Sequence, residues 1–222
     1  MKTILSIFDI IGPVMVGPSS SHTAGAVRLG ALARSIFGTD VTEATIQLHG
    51  SFHATADGHG TTRALVAGLL GMAVDDIRIV DALDIARERG CRYSFERVDL
   101  DEVHPNTAIF KLGDGEDTRI VQGSSIGGGE VLITHIDGFE VSLDGSLPNL
   151  VLIHKDRPGT VNAITTVLAK AGINIATMQV SRERRGQKAL TIIETDTPID
   201  STVLADLRAL KKVSSVTLID VV

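Results

Sequence analysis

Apolar and polar positions obey different rules on either side of residue 147. Downstream, residues 150–154 form a nearly unbroken apolar run, which predicts a buried strand. Ile164, Val167 and Leu168 then recur at helical spacing, so residues 161–171 are expected to be helical. A strand is predicted over 173–182, a turn at Arg184-Arg185-Gly186, and a paired strand over 188–194. Asp200, Ser201 or Thr202 caps a helix reaching Leu210, and residues 216–221 make a last strand. The order is βαββαβ, a ferredoxin-like unit.

Upstream, the apolar stretches are irregular and broken by glycine clusters. Residues 44–48 alternate as a half-buried strand. A helix over 61–70 follows the glycine-rich Asp57-Gly58-His59-Gly60, and a second short helix spans 81–89 before a strand over 91–98. Ile109 to Leu112 and Arg119 to Val121 flank Gly113-Asp114-Gly115-Glu116, a hairpin signal. A second hairpin joins 131–136 to 139–143 through Asp137-Gly138. The fold class is α+β, with helices early and antiparallel strands late. Asp144 to Asn149 has turn composition and sets the expected domains at 1–147 and 149–222.

Composition narrows the function classes. The 222 residues are 43% hydrophobic and 22% charged, as in a soluble globular protein. A net charge of -6 argues against a nucleic-acid surface. No stretch approaches a membrane span, and Asp9 interrupts the apolar start with no small-residue cleavage site after it. A cytoplasmic protein without a signal peptide is expected. Cys91 is the sole cysteine, so no internal disulfide is possible, and one thiol cannot hold an iron–sulfur cluster.

The densest chemistry lies at Ser19-Ser20-Ser21-His22-Thr23, four hydroxyls and an imidazole directly before a helix that reads on to Gly38. The serines are strong N-caps, and a helix start with free N–H groups also suits a carboxylate or phosphate. Both readings, ornate cap and anion site, fit the residues alone. Gly123 to Glu130 lacks the Lys-Ser/Thr pair of a phosphate loop and reads as a flexible turn. No two histidines share helical spacing with a third ligand in view, so no metal site is expected. His49, His53, His135 and His154 read as satisfied strand or loop residues.

Two resemblances follow from these residues. Lys155-Asp156-Arg157-Pro158-Gly159 and Ala171-Gly172-Ile173-Asn174-Ile175 make residues 149–222 resemble an ACT domain, an amino-acid-sensing module. The likeness implies a ligand site or pairing interface at Asp156, Pro158, Gly159 and Asn174, and a homodimer formed through that domain. Gly12-Pro13-Val14-Met15-Val16-Gly17-Pro18-Ser19-Ser20-Ser21-His22-Thr23-Ala24-Gly25 resembles the signature of iron–sulfur-dependent L-serine dehydratases. Gly50-Ser51-Phe52-His53-Ala54-Thr55-Ala56-Asp57-Gly58-His59-Gly60-Thr61 and His104-Pro105-Asn106-Thr107 match the same family. Its beta domain is related to the allosteric substrate-binding domain of some phosphoglycerate dehydrogenases. The segment His53 to Asp57 is more polar than that family leads one to expect.

That resemblance implies a beta subunit that works with an alpha subunit to convert L-serine to pyruvate and ammonia. It implies a 4Fe-4S cluster held by the alpha chain and not by this one. It places His59 and His22 in proton transfer or ligand binding and His104 in support, and gives Ser19, Ser20, Ser21 and Thr23 to the substrate carboxylate. The competing class is a non-catalytic subunit that senses serine through the ACT domain. A dehydrogenase fragment is disfavoured, because no Gly-x-Gly-x-x-Gly fingerprint occurs.

Overall fold

A computed structural model describes residues 15–17, 19–56 and 58–221. Met1 to Asp9, Gly12 to Val14, Pro18 and Asp57, all used in the sequence reading, lie outside the described residues. The first six strands form one sheet in the order β2-β1-β3-β4-β5-β6, and the last four form a second in the order β10-β7-β9-β8. Contacts divide the chain into two compact units, Met1–Thr134 and His135–Val222.

The first unit opens on a single π-helical turn, Ser20–Ala24, which runs directly into α1, Gly25–Phe37. Gly38, at φ 89°, stops α1 by donating its N–H to the Arg34 carbonyl. Leu29, Leu32, Ala33 and Ile36 of α1 are fully buried. Across from α1 lies α3, Thr61–Leu69. Their backbones touch through Gly30 and Gly68: a Cβ would stand 2.2 Å from the Leu65 carbonyl oxygen at Gly30, and 2.1 Å from the Val27 carbonyl oxygen at Gly68. Only glycine permits that approach.

Strand β1 (Glu43–Leu48) runs parallel to β2 (Arg92–Arg97) and antiparallel to β3 (Thr107–Gly113). Ala44, Ile46 and Leu48 alternate inward and meet Phe110 and its neighbours in register. The sequence left the pairing of β1 with β2 open, and the pair is parallel. A 3-10 turn (Ile77–Asp81), capped by Asp76, and α4 (Ala82–Glu88) make the connection between β1 and β2 long enough for it. A short helix that the periodicity did not announce, α2 (Gly50–Ala54), follows β1. Strand β4 (Thr118–Gly127) continues through Gly123 to Ile126, where a turn was expected. Gly123 is there because the Leu29 and Ile133 side chains fill the space a Cβ would take. The turn itself is only Gly128 and Gly129, before β5 (Glu130–Ile136).

In the second unit, β6 (Phe139–Leu143) precedes β7 (Asn149–Lys155), α5 (Thr160–Lys170), β8 (Ile175–Arg182), β9 (Lys188–Thr195), α6 (Ser201–Arg208) and β10 (Val213–Ile219). From β7 onward the order is βαββαβ, as the periodicity predicts. Leu150, Leu152, Ile164, Leu168, Ile193 and Leu207 make up the centre of its core. Burying each of these side chains favours folding by roughly 1.5–3 kcal/mol. Asp200 caps α6 by accepting from Thr202 N–H at 2.8 Å and Val203 N–H at 2.9 Å.

Candidate functional site

Ser19 holds extended backbone and caps the π turn, its Oγ accepting from His22 N–H at 3.1 Å. Ser20 and Ser21 thus belong to the helix, not to its cap; π-helical turns are rare, and those inside α-helices are often found at functional sites. The turn aims the His22 side chain at α2. His22 Nδ1 lies 3.1 Å from Ser21 Oγ and 3.5 Å from Ser19 Oγ, while Nε2 lies 3.0 Å from Ser51 Oγ. The ring meets Phe52 edge-on at 5.5 Å and the His59 ring at 5.3 Å. Phe52 is fully buried and makes the wall behind this cluster.

Burial lowers the pKa of His22, and the neighbouring His59 imidazole lowers it further, while a hydrogen bond with the Ser51 backbone pushes it back up. His22 is therefore biased toward the neutral ring, a hydrogen-bonding group more than a cation. His59 is exposed, on the turn between α2 and α3, with its backbone N–H bonded to the Thr55 carbonyl at 3.1 Å. The next residue, Gly60, takes φ 68° and starts α3. Two of the predicted histidines are thus ring neighbours.

His104 stands apart from that pair, half-buried, its Nδ1 accepting from Asn106 N–H at 3.1 Å. Its segment is nonetheless tied to α2. The Pro105 carbonyl accepts from Ser51 N–H at 2.8 Å and Phe52 N–H at 3.4 Å. Gly50 makes this possible: it holds φ 54°, and a Cβ there would stand 2.6 Å from the same carbonyl oxygen. Thr107 Oγ1 in turn bonds the His104 carbonyl at 2.6 Å and Ser124 Oγ at 2.7 Å.

Thr23 differs from the three serines. It is 3% exposed, and its Oγ1 has no hydrogen-bond partner among the described residues. The same holds for Ser125 Oγ, on the strand beside Gly25. A buried hydroxyl left unsatisfied costs about 1–3 kcal/mol. Ser51 is the residue that sequence reasoning did not single out, although it stands inside a quoted motif. Only its contact with His22 marks it.

Of the other histidines, His49 accepts at Nδ1 from Leu100 N–H at 3.2 Å, and His154 is buried with Nε2 2.7 Å from Thr191 Oγ1. His53 is exposed on α2, in a helix and not in a strand or loop. Among the described residues no group of His, Cys, Asp and Glu could hold a metal ion. Cys91 is buried, and burial raises its thiol pKa, with Arg92 opposing. A single buried thiol does not fit an iron–sulfur cluster.

The four residues expected at the ACT site stand in different surroundings within the chain. Asp156 accepts from Gly186 N–H at 2.9 Å and faces Arg182, which together hold its carboxyl below the usual carboxylate range. The Pro158 carbonyl accepts from Lys212, and Gly159 starts α5 at φ 84° beside a depression of about 160 Å³. Asn174 bonds Asp196 and borders a separate depression of about 370 Å³ under α5.

Comparison with known proteins bears on both units. Residues 6–92 match the family described as "Serine dehydratase beta chain", and residues 149–212 match "ACT domain". The chain is 45% identical to the "Probable L-serine dehydratase, beta chain" of Bacillus subtilis (strain 168) over 212 residues, 96% of each chain. It is 33% identical to the "L-serine dehydratase, beta chain" of Peptoniphilus asaccharolyticus over 99% of this chain and 100% of that one. A "D-3-phosphoglycerate dehydrogenase" of Bacillus subtilis (strain 168) is 27% identical over 88% of this chain but only 37% of its own length.

Proposed function

We propose that this chain, which belongs to the serine dehydratase beta chain family, is the beta subunit of an L-serine dehydratase that deaminates L-serine to pyruvate and ammonia. The observation that carries the reading is the convergence of His22, His59 and Ser51 at the start of a long helix. Net loss of water from L-serine needs the Cα proton removed and the β-hydroxyl released. The aminoacrylate so formed tautomerises to an imine, and water then releases ammonia and leaves pyruvate.

This chain's own groups fit two parts of that task. Ser19, Ser20 and Ser21 line the place of the substrate carboxylate at a helix start, where the dipole favours an anion: the Ser20 hydroxyl donates to it, while Ser19 and Ser21 turn their protons toward His22 Nδ1. Thr23, with its unsatisfied hydroxyl, belongs to the same set. His59, exposed beside the cluster, exchanges the proton. His22, biased neutral, orients substrate and lends its ring to the relay, and His104 supports the loop that anchors α2. The 4Fe-4S cluster belongs to an alpha chain, which completes the site and supplies the electrophile for the leaving hydroxyl.

The domains divide at 1–147 and 149–222, the second being the ACT domain; this boundary keeps all six strands of the first sheet in one domain, whereas contacts part the chain after Thr134. Asp156, Pro158, Gly159 and Asn174 serve there as ligand or interface residues. The isolated chain pairs with a second copy through this domain, whose edge strand β8 exposes Met178 and Val180. The enzyme works in the cytoplasm. No helix of the described residues is long and apolar enough to cross a membrane.

The test is His59→Asn, co-expressed with a cysteine-bearing alpha chain. Turnover of L-serine is expected to fall by about a hundredfold or more, the usual worth of a positioned proton-transfer group. Undiminished turnover with the variant would remove His59 from the chemistry.

A further inference from the structure

We infer that Ser51 is a positioning residue: it fixes the tautomer of His22 by accepting Nε2–H, and so joins the three sequence motifs at one residue. The inference rests on the functional reading above for its consequence, but on hydrogen-bond geometry for its substance. Two hydroxyls, Ser19 and Ser21, lie at His22 Nδ1. Ser19 Oγ already accepts from His22 N–H, which leaves its own proton to donate. Ser19 Oγ and Ser21 Oγ are also 3.4 Å apart, and with Ser19 donating to Ser21 and Ser21 to the ring their protons form a short chain ending at Nδ1. Nδ1 is then an acceptor. A neutral imidazole with a bare Nδ1 carries its proton on Nε2, and the group facing Nε2 is Ser51 Oγ at 3.0 Å.

Ser51 is held from its other side too. Its backbone N–H donates to the Pro105 carbonyl, which fixes the start of α2 against the His104-Pro105 loop. Gly50 lets the two backbones meet. One residue of the second motif thus bonds the first motif through its hydroxyl and the third through its amide. With Nε2–H as donor, the Ser51 hydroxyl proton is free to point to a ligand beside the ring. Ser51 acts through His22 on where that ring sits and which nitrogen is bare.

Imidazole nitrogen-15 resonances of the full chain, recorded above pH 7, tell a protonated nitrogen from a bare one. The wild-type His22 is expected to show Nε2–H. In Ser51→Ala the ratio of tautomers is expected to move roughly threefold to tenfold toward Nδ1–H, the worth of one hydrogen bond, and kcat with the alpha chain to fall by a similar factor while KM holds. Ser51→Thr keeps a hydroxyl and is expected to restore both. A wild-type His22 protonated at Nδ1 overturns the inference without any variant being needed. So does a Ser51→Ala chain whose tautomer ratio is unchanged. Loss of the functional reading has a different signature: His59→Asn retains full turnover while the tautomer results stand.

Discussion

Alanine at Gly50 is the substitution that best tests how the site is held. Two costs arise there. The residue sits at φ 54°, a left-handed conformation costing an L-residue roughly 1–2 kcal/mol. Its Cβ would also stand 2.6 Å from the Pro105 carbonyl oxygen, 3.0 Å from Pro105 Cα and 3.2 Å from Pro105 C, all backbone atoms that move only with the loop. Overpacking of this kind costs about 1–3 kcal/mol. Gly90 supplies the control: it has φ 75° and nothing within 4 Å of where a Cβ would stand, so Gly90→Ala bears the backbone cost alone. Gly50→Ala is therefore expected to lose about 2–5 kcal/mol against about 1–2 kcal/mol for Gly90→Ala. Urea unfolding followed by circular dichroism measures both. Only Gly50→Ala is also expected to lower kcat, because the Pro105 bond to Ser51 N–H must lengthen. Equal stability losses with equal turnover would refute the claim that the Pro105 carbonyl clamps α2.

Two more outcomes follow. The pKa of His22 is lowered in the fold, so the unfolded chain takes up the proton first as pH falls. Stability is then lost from the ordinary value of 6.5 downward to the folded pKa, and His22→Gln is expected to flatten that part of an unfolding-versus-pH curve. An unchanged slope counts against the burial argument. Asp200→Ala removes a cap from two N–H groups of α6 and is expected to cost about 1 kcal/mol in urea unfolding, with Asp200→Ser recovering most of it.

The second unit was the more legible because its elements carry regular signals. The β7 run, the Ile164-Val167-Leu168 spacing and the Asp200 cap each point to one local structure, and long-range packing agrees with them. In the first unit the decisive facts are long-range. Gly123 looks like a turn residue but stands in a strand because Leu29 and Ile133 need its space. Gly30 and Gly68 read as weak points in helices until the two backbones are seen to touch. The serine run announced a cap, and Ser19 does cap, yet the π turn that rotates His22 toward α2 has no periodic signature. His22 and His59 came together in the reading only through family resemblance. No spacing rule brings them to 5.3 Å, and none marks Ser51 as the group between motifs.

Cys91 carries a practical consequence. Its thiol is buried and raised in pKa, so little of it is thiolate at neutral pH, and the chain has no other cysteine. Alkylating agents and dissolved oxygen have little to attack here. A preparation of this chain therefore tolerates air and needs no reducing agent to protect its thiol.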